Sequence, residues 1–268
     1  MKTISSRDNA TYKELKKLAG SSQARRQAGQ TLLDGVHLCQ AWLDLRGMPL
    51  QALVSESALH DPEVAALVQR CEDARATVTA LPDALYAPLS QVEHGVGLLF
   101  IVATPTPLMP SALTVDSVLL DGLQDPGNVG SILRSAAAAG VRQVYCSAGT
   151  AFCWSPKVLR AAMGAHFVLQ IFEQADLAAL VTHADIPVLA TSGYAATTLY
   201  DIDLRGPVAW LFGHEGQGVA DDLLALASHR VVVPHAGQVE SLNVAACAAV
   251  CLFEHLRQNL PSRQVPSL

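Results

Sequence analysis

The sequence predicts an α/β protein in two parts: a larger C-terminal parallel sheet flanked by helices, and a smaller α/β domain in front of it. Three observations carry this reading. Unbroken apolar runs of strand length, such as "SVLLDGL", "PVLATS" and "VAWLFG", alternate with helical stretches, as in a parallel sheet covered on both faces. The alternation is regular only in the second half of the chain. Between the halves, "ATPTPLMPS" places three prolines in nine residues, which forbids helix continuation and a central strand alike. Accordingly, we read residues 1–104 as one domain, 105–114 as a linker and 115–268 as the second domain.

In the first domain the order predicted is a basic helix near residues 9–19, a helix over "TLLDGVHLCQAWLDL", a strand "QALVS", further helical stretches and a strand "GVGLLFIV". In the second, strand "SVLLDGL" precedes a helix from about Val129 to Ala139, which Gly140 stops. Strand "QVYCS" follows, then a helix opened by Ser155 and Pro156, the cap and first-turn signals. Strand "FVLQIF", helix "ADLAALVTHA", strands "PVLATS" and "VAWLFG", a helix near "ADDLLALA", strand "RVVVP" and a final helix from Leu242 to Gln258 complete it.

Composition bounds the function. With 268 residues, half of them hydrophobic, the chain can bury a large core. A net charge of −6 argues against bulk electrostatic attachment to nucleic acid. Residues 1–26 are different: seven basic side chains (Lys2, Arg7, Lys13, Lys16, Lys17, Arg25, Arg26) face only Asp8 and Glu14. Such a segment suits a phosphate-bearing partner or a solvated helix face. The six cysteines show no close pair and no framework spacing, so free thiols are expected. Cys247, Cys251 and His255 share one stripe of the last helix. One straight helix cannot wrap three ligands around an ion, so buried core cysteines are expected and no metal. The N-terminus lacks a signal-peptide core and no apolar run approaches a membrane span, so a cytoplasmic, soluble protein is expected.

Open parallel sheets bind ligands beyond the carboxyl ends of their strands. Three such ends carry glycine and short polar residues: one with Asn128, Gly130 and Arg134, one with Gly213, Glu215, Gly216 and Gly218, and one with Ser241, Leu242 and Asn243. Any one of them could be turn geometry alone. Asn128 could cap a helix or hold Arg134, Glu215 could be a solvated turn residue, and Ser241 could be a cap. The order GxxGxG in "GHEGQG" is not the dinucleotide fingerprint, which disfavours a nicotinamide-dependent dehydrogenase.

Together, "NVGSILR", "FGHEGQGV" and "VPHAGQVESLNVAACAAVCLFE" closely resemble the three signature motifs of the SpoU/TrmH family of RNA ribose 2'-O-methyltransferases, in the SPOUT superfamily. The intervening "SPKVLRAAMGAHF" is similar to the same family's pattern. The N-terminal stretch, closing in "EHGVGLLFIV", is similar to an RNA-binding domain related to kink-turn-binding ribosomal proteins. Asp34 stands where that family usually has glutamate, and His235 where it often has methionine.

The resemblance implies a parallel sheet with a trefoil knot, S-adenosyl-L-methionine as cofactor, structured RNA (rRNA before tRNA) as substrate, and a homodimer without metal or membrane. By that resemblance Arg134 serves the ribose hydroxyl, Glu215 braces the arginine or the asparagine, and Asn128, Ser241 and Asn243 complete the active site. Gly213, Val233 and Leu242 would give main-chain contacts to the cofactor, with Thr191 and Gly193 lining the same pocket. Arg7, Lys13, Lys16, Lys17, Arg25 and Arg26 would meet RNA. A non-catalytic RNA-binding module of the same fold is the alternative, but it should have lost Asn128, Arg134, Glu215 or Asn243, and all four are present.

Overall fold

A computed structural model describes residues 1–90, 92, 95–238 and 241–261. Glu93 and His94 of the stretch closing the first domain, Val239 and Glu240 of the third motif, and the tail 262–268 lie outside the described residues. The chain forms two compact units, Met1–Pro105 with Trp154–Phe167, and Thr106–Cys153 with Val168–Leu268.

In the first unit β1 (Lys2–Thr3) precedes α1 (Ala10–Gly20) and α2 (Ser22–Ala28), followed by β2 (Gln30–Asp34), α3 (Val36–Leu45) and β3 (Gln51–Ser55). Then come α4 (Pro62–Asp73), β4 (Val78–Leu81), α5 (Asp83–Tyr86) and β5 (Leu98–Ala103). The sheet order is β1-β4-β3-β5-β2, parallel except where β5 runs against β3 and β2. Asn9 caps α1 by accepting the Tyr12 N–H, and Tyr12, Leu15 and Ala19 turn inward onto Leu53, Leu81, Leu99 and Ile101. The helix expected over residues 31–45 forms only in its second half. Gln30–Asp34 is a strand because all five residues pair with Leu99–Ala103, and Gly35, at φ +101°, turns the chain before α3 can start. Local pattern alone could not reveal that pairing. The strand β4 and the short β1 were likewise not foreseen.

In the second unit β6 (Ser117–Asp121) leads to α6 (Pro126–Ala138) and β7 (Gln143–Cys146). Past α7 (Pro156–Ala162) run β8 (Gln170–Phe172), α8 (Leu177–Thr182), β9 (Val188–Thr191), β10 (Thr197–Thr198), β11 (Ala209–Gly213), α9 (Asp221–Leu226), β12 (His229–Val232) and α10 (Val244–Asn259). The order is β10-β12-β9-β11-β6-β7-β8, and every pair is parallel. All seven C-terminal ends therefore emerge along one edge of the sheet. On one face Leu119, Tyr145 and Leu211 pack with Leu180 of α8 and Leu223 of α9. Alternation sends Trp210 and Phe212 to the other face, and α10 packs against α6. None of the six cysteines is in a disulfide, and among the described residues no group of side chains could hold a metal ion. No described helix is long and apolar enough to cross a membrane.

Helix α7 interrupts the second unit in sequence but packs with the first. Trp154, Val158, Leu159, Ala162 and Phe167 are buried, the Phe167 ring meets Trp42 edge-on at 5.5 Å, and Arg46 Nε donates to the Phe167 carbonyl at 3.0 Å. The first unit's core is thus completed by residues from the second half of the sequence. Replacing Phe167 by alanine should cost about 3–5 kcal/mol. Thermal unfolding, with faster proteolysis inside residues 1–105 than in wild type, is the check; unchanged unfolding would mean that the segment adds nothing to this core.

Candidate active site

Strand order makes four C-terminal ends neighbours, in the order β12, β9, β11, β6. From β6 the chain enters α6, where Asp125 is the N-cap and accepts the Asn128 N–H at 2.8 Å, with Pro126 in the first turn. Asn128 is therefore not the cap, and Asn128, Gly130 and Arg134 all lie within the helix rather than on the turn. The Asp125-Pro126 pair carried the start signal in the sequence. With its backbone spent in the helix, Asn128 uses its carboxamide to bridge two other loops. Its Nδ2 donates to Glu215 Oε1 at 3.1 Å, and its Oδ1 accepts from Asn243 Nδ2 at 3.0 Å.

Glu215 also accepts the backbone N–H groups of Gln124 and Asp125, at 3.2 and 3.1 Å. Partial burial raises its carboxyl pKa. Hydrogen bonds from its own backbone N–H, the Asn128 side chain and the amides of Asp125 and Gln124 outweigh that effect and hold it below the ordinary carboxylate value. Asn243 caps α10, its Oδ1 accepting from Ala245 and Ala246 at 2.9 and 3.2 Å. The helix starts at Val244, so Ser241 is not its cap and lies exposed before it. One hydrogen-bonded chain, Glu215–Asn128–Asn243, ties the three motif loops together. Asp121, unforeseen in the sequence, adds a further tie by accepting the Ala220 N–H at 3.0 Å.

The cofactor candidates lie on the adjacent strand ends. Thr191 ends β9, with its hydroxyl donating to the Leu211 carbonyl at 3.3 Å; Gly213 ends β11; and Val233, buried, follows β12. A Cβ at Gly213 would collide with the backbone of Gly218 and Val219, so the returning loop by itself requires this glycine. Gly193 is different. A Cβ there would meet nothing within 4 Å, so the fold leaves open space at that strand end. Leu242 is 37 % exposed beside the α10 cap.

Arg134 is not in the network. It stands on the solvent stripe of α6 with Gly127, Ser131 and Ala138, about 120° around the helix from Asn128. It makes no hydrogen bond or ion pair with a described residue. Glu215 thus braces the asparagine and not the arginine.

Of the six basic candidates in the first unit, Arg7, Lys13, Lys16, Lys17 and Arg26 are exposed. Lys13 lies 3.6 Å from Asp8. Arg25 is a correction: it is buried, and its Nη1 donates to the carbonyls of Leu18 and Ala19 at 2.7 and 3.1 Å, closing the end of α1. A charge count could not separate that role from phosphate binding.

The wholly parallel sheet sets glycine loops and a carboxylate–carboxamide chain at neighbouring strand ends, the place where open α/β sheets hold their ligands. Residues 117–253 match the sequence profile of the SpoU rRNA Methylase family, and the chain belongs to that family. It is 33 % identical, over 96 % of its length and 94 % of the relative's, to an uncharacterised tRNA/rRNA methyltransferase of Synechocystis sp.. It is 29 % identical to the 23S rRNA (guanosine(2553)-2'-O)-methyltransferase RlmP of Bacillus subtilis, over 96 % of this chain and 100 % of that one. A crystal structure of an RNA 2'-O ribose methyltransferase superposes with TM-score 0.77 at 31 % identity, covering 96 % of this chain and 98 % of the other.

Proposed function

We propose that the protein transfers a methyl group from S-adenosyl-L-methionine to a ribose 2'-hydroxyl of rRNA. The observation carrying this reading is the Glu215–Asn128–Asn243 chain, which holds the three family motifs at one edge of the sheet. The residues present fit the cofactor: main chain at three adjacent strand ends, open space at Gly193, apolar Val233 and Leu242, and the Thr191 hydroxyl. When bound, the cofactor supplies an electrophilic methyl group on a sulfonium.

The protein's share is to place the hydroxyl in line and to offset the charge that grows on its oxygen as the proton passes to water. Glu215 is held ionised by four N–H donors, so it is a poor proton acceptor and acts as a positioning residue. Arg134, exposed and carrying a planar guanidinium, serves as the electrostatic partner of the developing alkoxide or of the neighbouring phosphate. Ser241 completes this edge of the site.

Three further readings belong to the proposal. A homodimer is supported by α10, where Ala246 is exposed and Phe253 is 46 % exposed. The trefoil knot is supported by the insertion of β12 between β9 and β10 before the chain returns along α6. A cytoplasmic location follows from the substrate.

The test is methyl transfer from labelled S-adenosylmethionine to unmethylated 23S rRNA, with the modified ribose mapped. Label in RNA at a 2'-oxygen is expected, and calorimetry should show S-adenosylhomocysteine binding. Preference for NADH would overturn the assignment. In the first unit, changing Lys13, Lys16 and Lys17 to alanine should weaken RNA binding and flatten its salt dependence. The log–log slope should fall by about 0.7–0.9 for each lost phosphate contact. Lys13 is shared with Asp8, so one or two contacts are expected. An unchanged slope would move RNA recognition off this helix.

A further inference from the structure

Tyr194 is a fully exposed aromatic side chain in the second unit, and its position is unusual for one. It stands on the turn that leaves β9, the strand between β11, whose loop carries Glu215, and β12, which leads to Asn243. The turn is anchored on both sides. Ser192 N–H donates to the Val231 carbonyl of β12 at 3.0 Å, and the preceding Thr191 hydroxyl donates to the Leu211 carbonyl of β11. Within the turn, Ser192 Oγ accepts the Tyr194 N–H at 3.3 Å and the Ser192 carbonyl accepts the Ala195 N–H at 3.2 Å. The neighbours of Tyr194 in the chain, Gly193, Ala195 and Ala196, are too small to cover a ring face. The tyrosine hydroxyl has no hydrogen-bond partner among the described residues.

We infer that Tyr194 is a stacking platform for a nucleobase of the RNA beside the methylated ribose, an inference that rests on the proposed function. Holding a large ring in water costs hydrophobic free energy, and a turn tied to two strands fixes the backbone from which that ring projects. RNA presented for chemistry has unstacked bases whose faces seek an aromatic partner, and stacking is sequence-tolerant because every base has a π-face. A second copy of the chain fits less well as the occupant: the chain neighbours of Tyr194 are small, whereas Phe253 of α10 offers a helix face.

Full-length Tyr194→Ala, Tyr194→Phe and wild-type protein should be compared for affinity to in vitro transcribed 23S rRNA, affinity for S-adenosylhomocysteine, and sedimentation. The alanine variant should bind the transcript about 5- to 100-fold more weakly, the range set by base–aromatic stacking. The phenylalanine variant should stay within about threefold of wild type, because it keeps the π-face. Cofactor affinity and oligomeric state should not change. Equal RNA affinity for the alanine variant overturns the inference; so does a selective loss of S-adenosylhomocysteine binding, which would put the ring against the cofactor, or a change of oligomeric state, which would put it in an interface. RNA affinity is read without turnover, so absence of methyl transfer by wild type on the same transcript would sink the proposed function and still leave the role of Tyr194 decided.

Discussion

Replacing Arg134 with alanine should lower methyl transfer by about 10²- to 10³-fold, the effect of removing one charge that offsets a developing oxyanion. Affinity for S-adenosylhomocysteine should stay within a few-fold of wild type. The geometry separates the two effects: Arg134 lies on the solvent stripe of α6, roughly 120° from Asn128, while the cofactor candidates sit on the ends of β9, β11 and β12 and, for Leu242, beside the α10 cap. Because no described residue engages the guanidinium, its loss should leave folding unchanged. Arg134→Lys should recover only part of the rate, since an ammonium lacks the planar fork that can hold phosphate and ribose oxygens together. Near-normal turnover by Arg134→Ala would remove it from the mechanism, and a parallel fall in cofactor affinity would relocate it.

Glu215→Ala should cost about 100-fold in rate by a different route. The carboxylate accepts the Gln124 and Asp125 backbone N–H groups and the Asn128 carboxamide, so its removal frees the start of α6 and the chain leading to Asn243. Amide hydrogen exchange at residues 124–128 should rise with the loss of rate, which distinguishes a positioning residue from a base. Glu215→Gln keeps an acceptor but turns a donor toward the amides, and should fall between alanine and wild type. The pH dependence has a definite sign. The folded carboxyl pKa lies below its ordinary value, so the bracing is complete above the ordinary carboxylate range and is lost as pH falls through the folded value. Wild-type loop order should therefore hold at neutral pH and fade only in acid, and the Glu215→Gln variant should lack that acid limb. Unchanged exchange in Glu215→Ala would exclude a bracing role.

The sequence by itself determined most of the second unit. Its central strands are apolar on both faces and α6 and α7 open on cap and proline signals, so period and punctuation were enough to place β6, β9, β11, β12 and α10 to within a few residues. The three motifs were equally legible, because each is a run of residues local in the chain. Long-range partners were not. Gln30–Asp34 became a strand because β5 pairs with it, Arg25 was withdrawn into the end of α1, and Trp154–Phe167 joined the core of the first unit. Asn128 had open alternatives in sequence, as a cap or as a support for Arg134. Only the tertiary structure decided that Asp125 caps the helix while Asn128 spans Glu215 and Asn243, residues 87 and 115 positions away. The physical reason is common to all of these. Burial pattern and capping are local and leave a mark in a short window, whereas a hydrogen bond or a strand pairing between distant residues depends on which strands the sheet sets side by side.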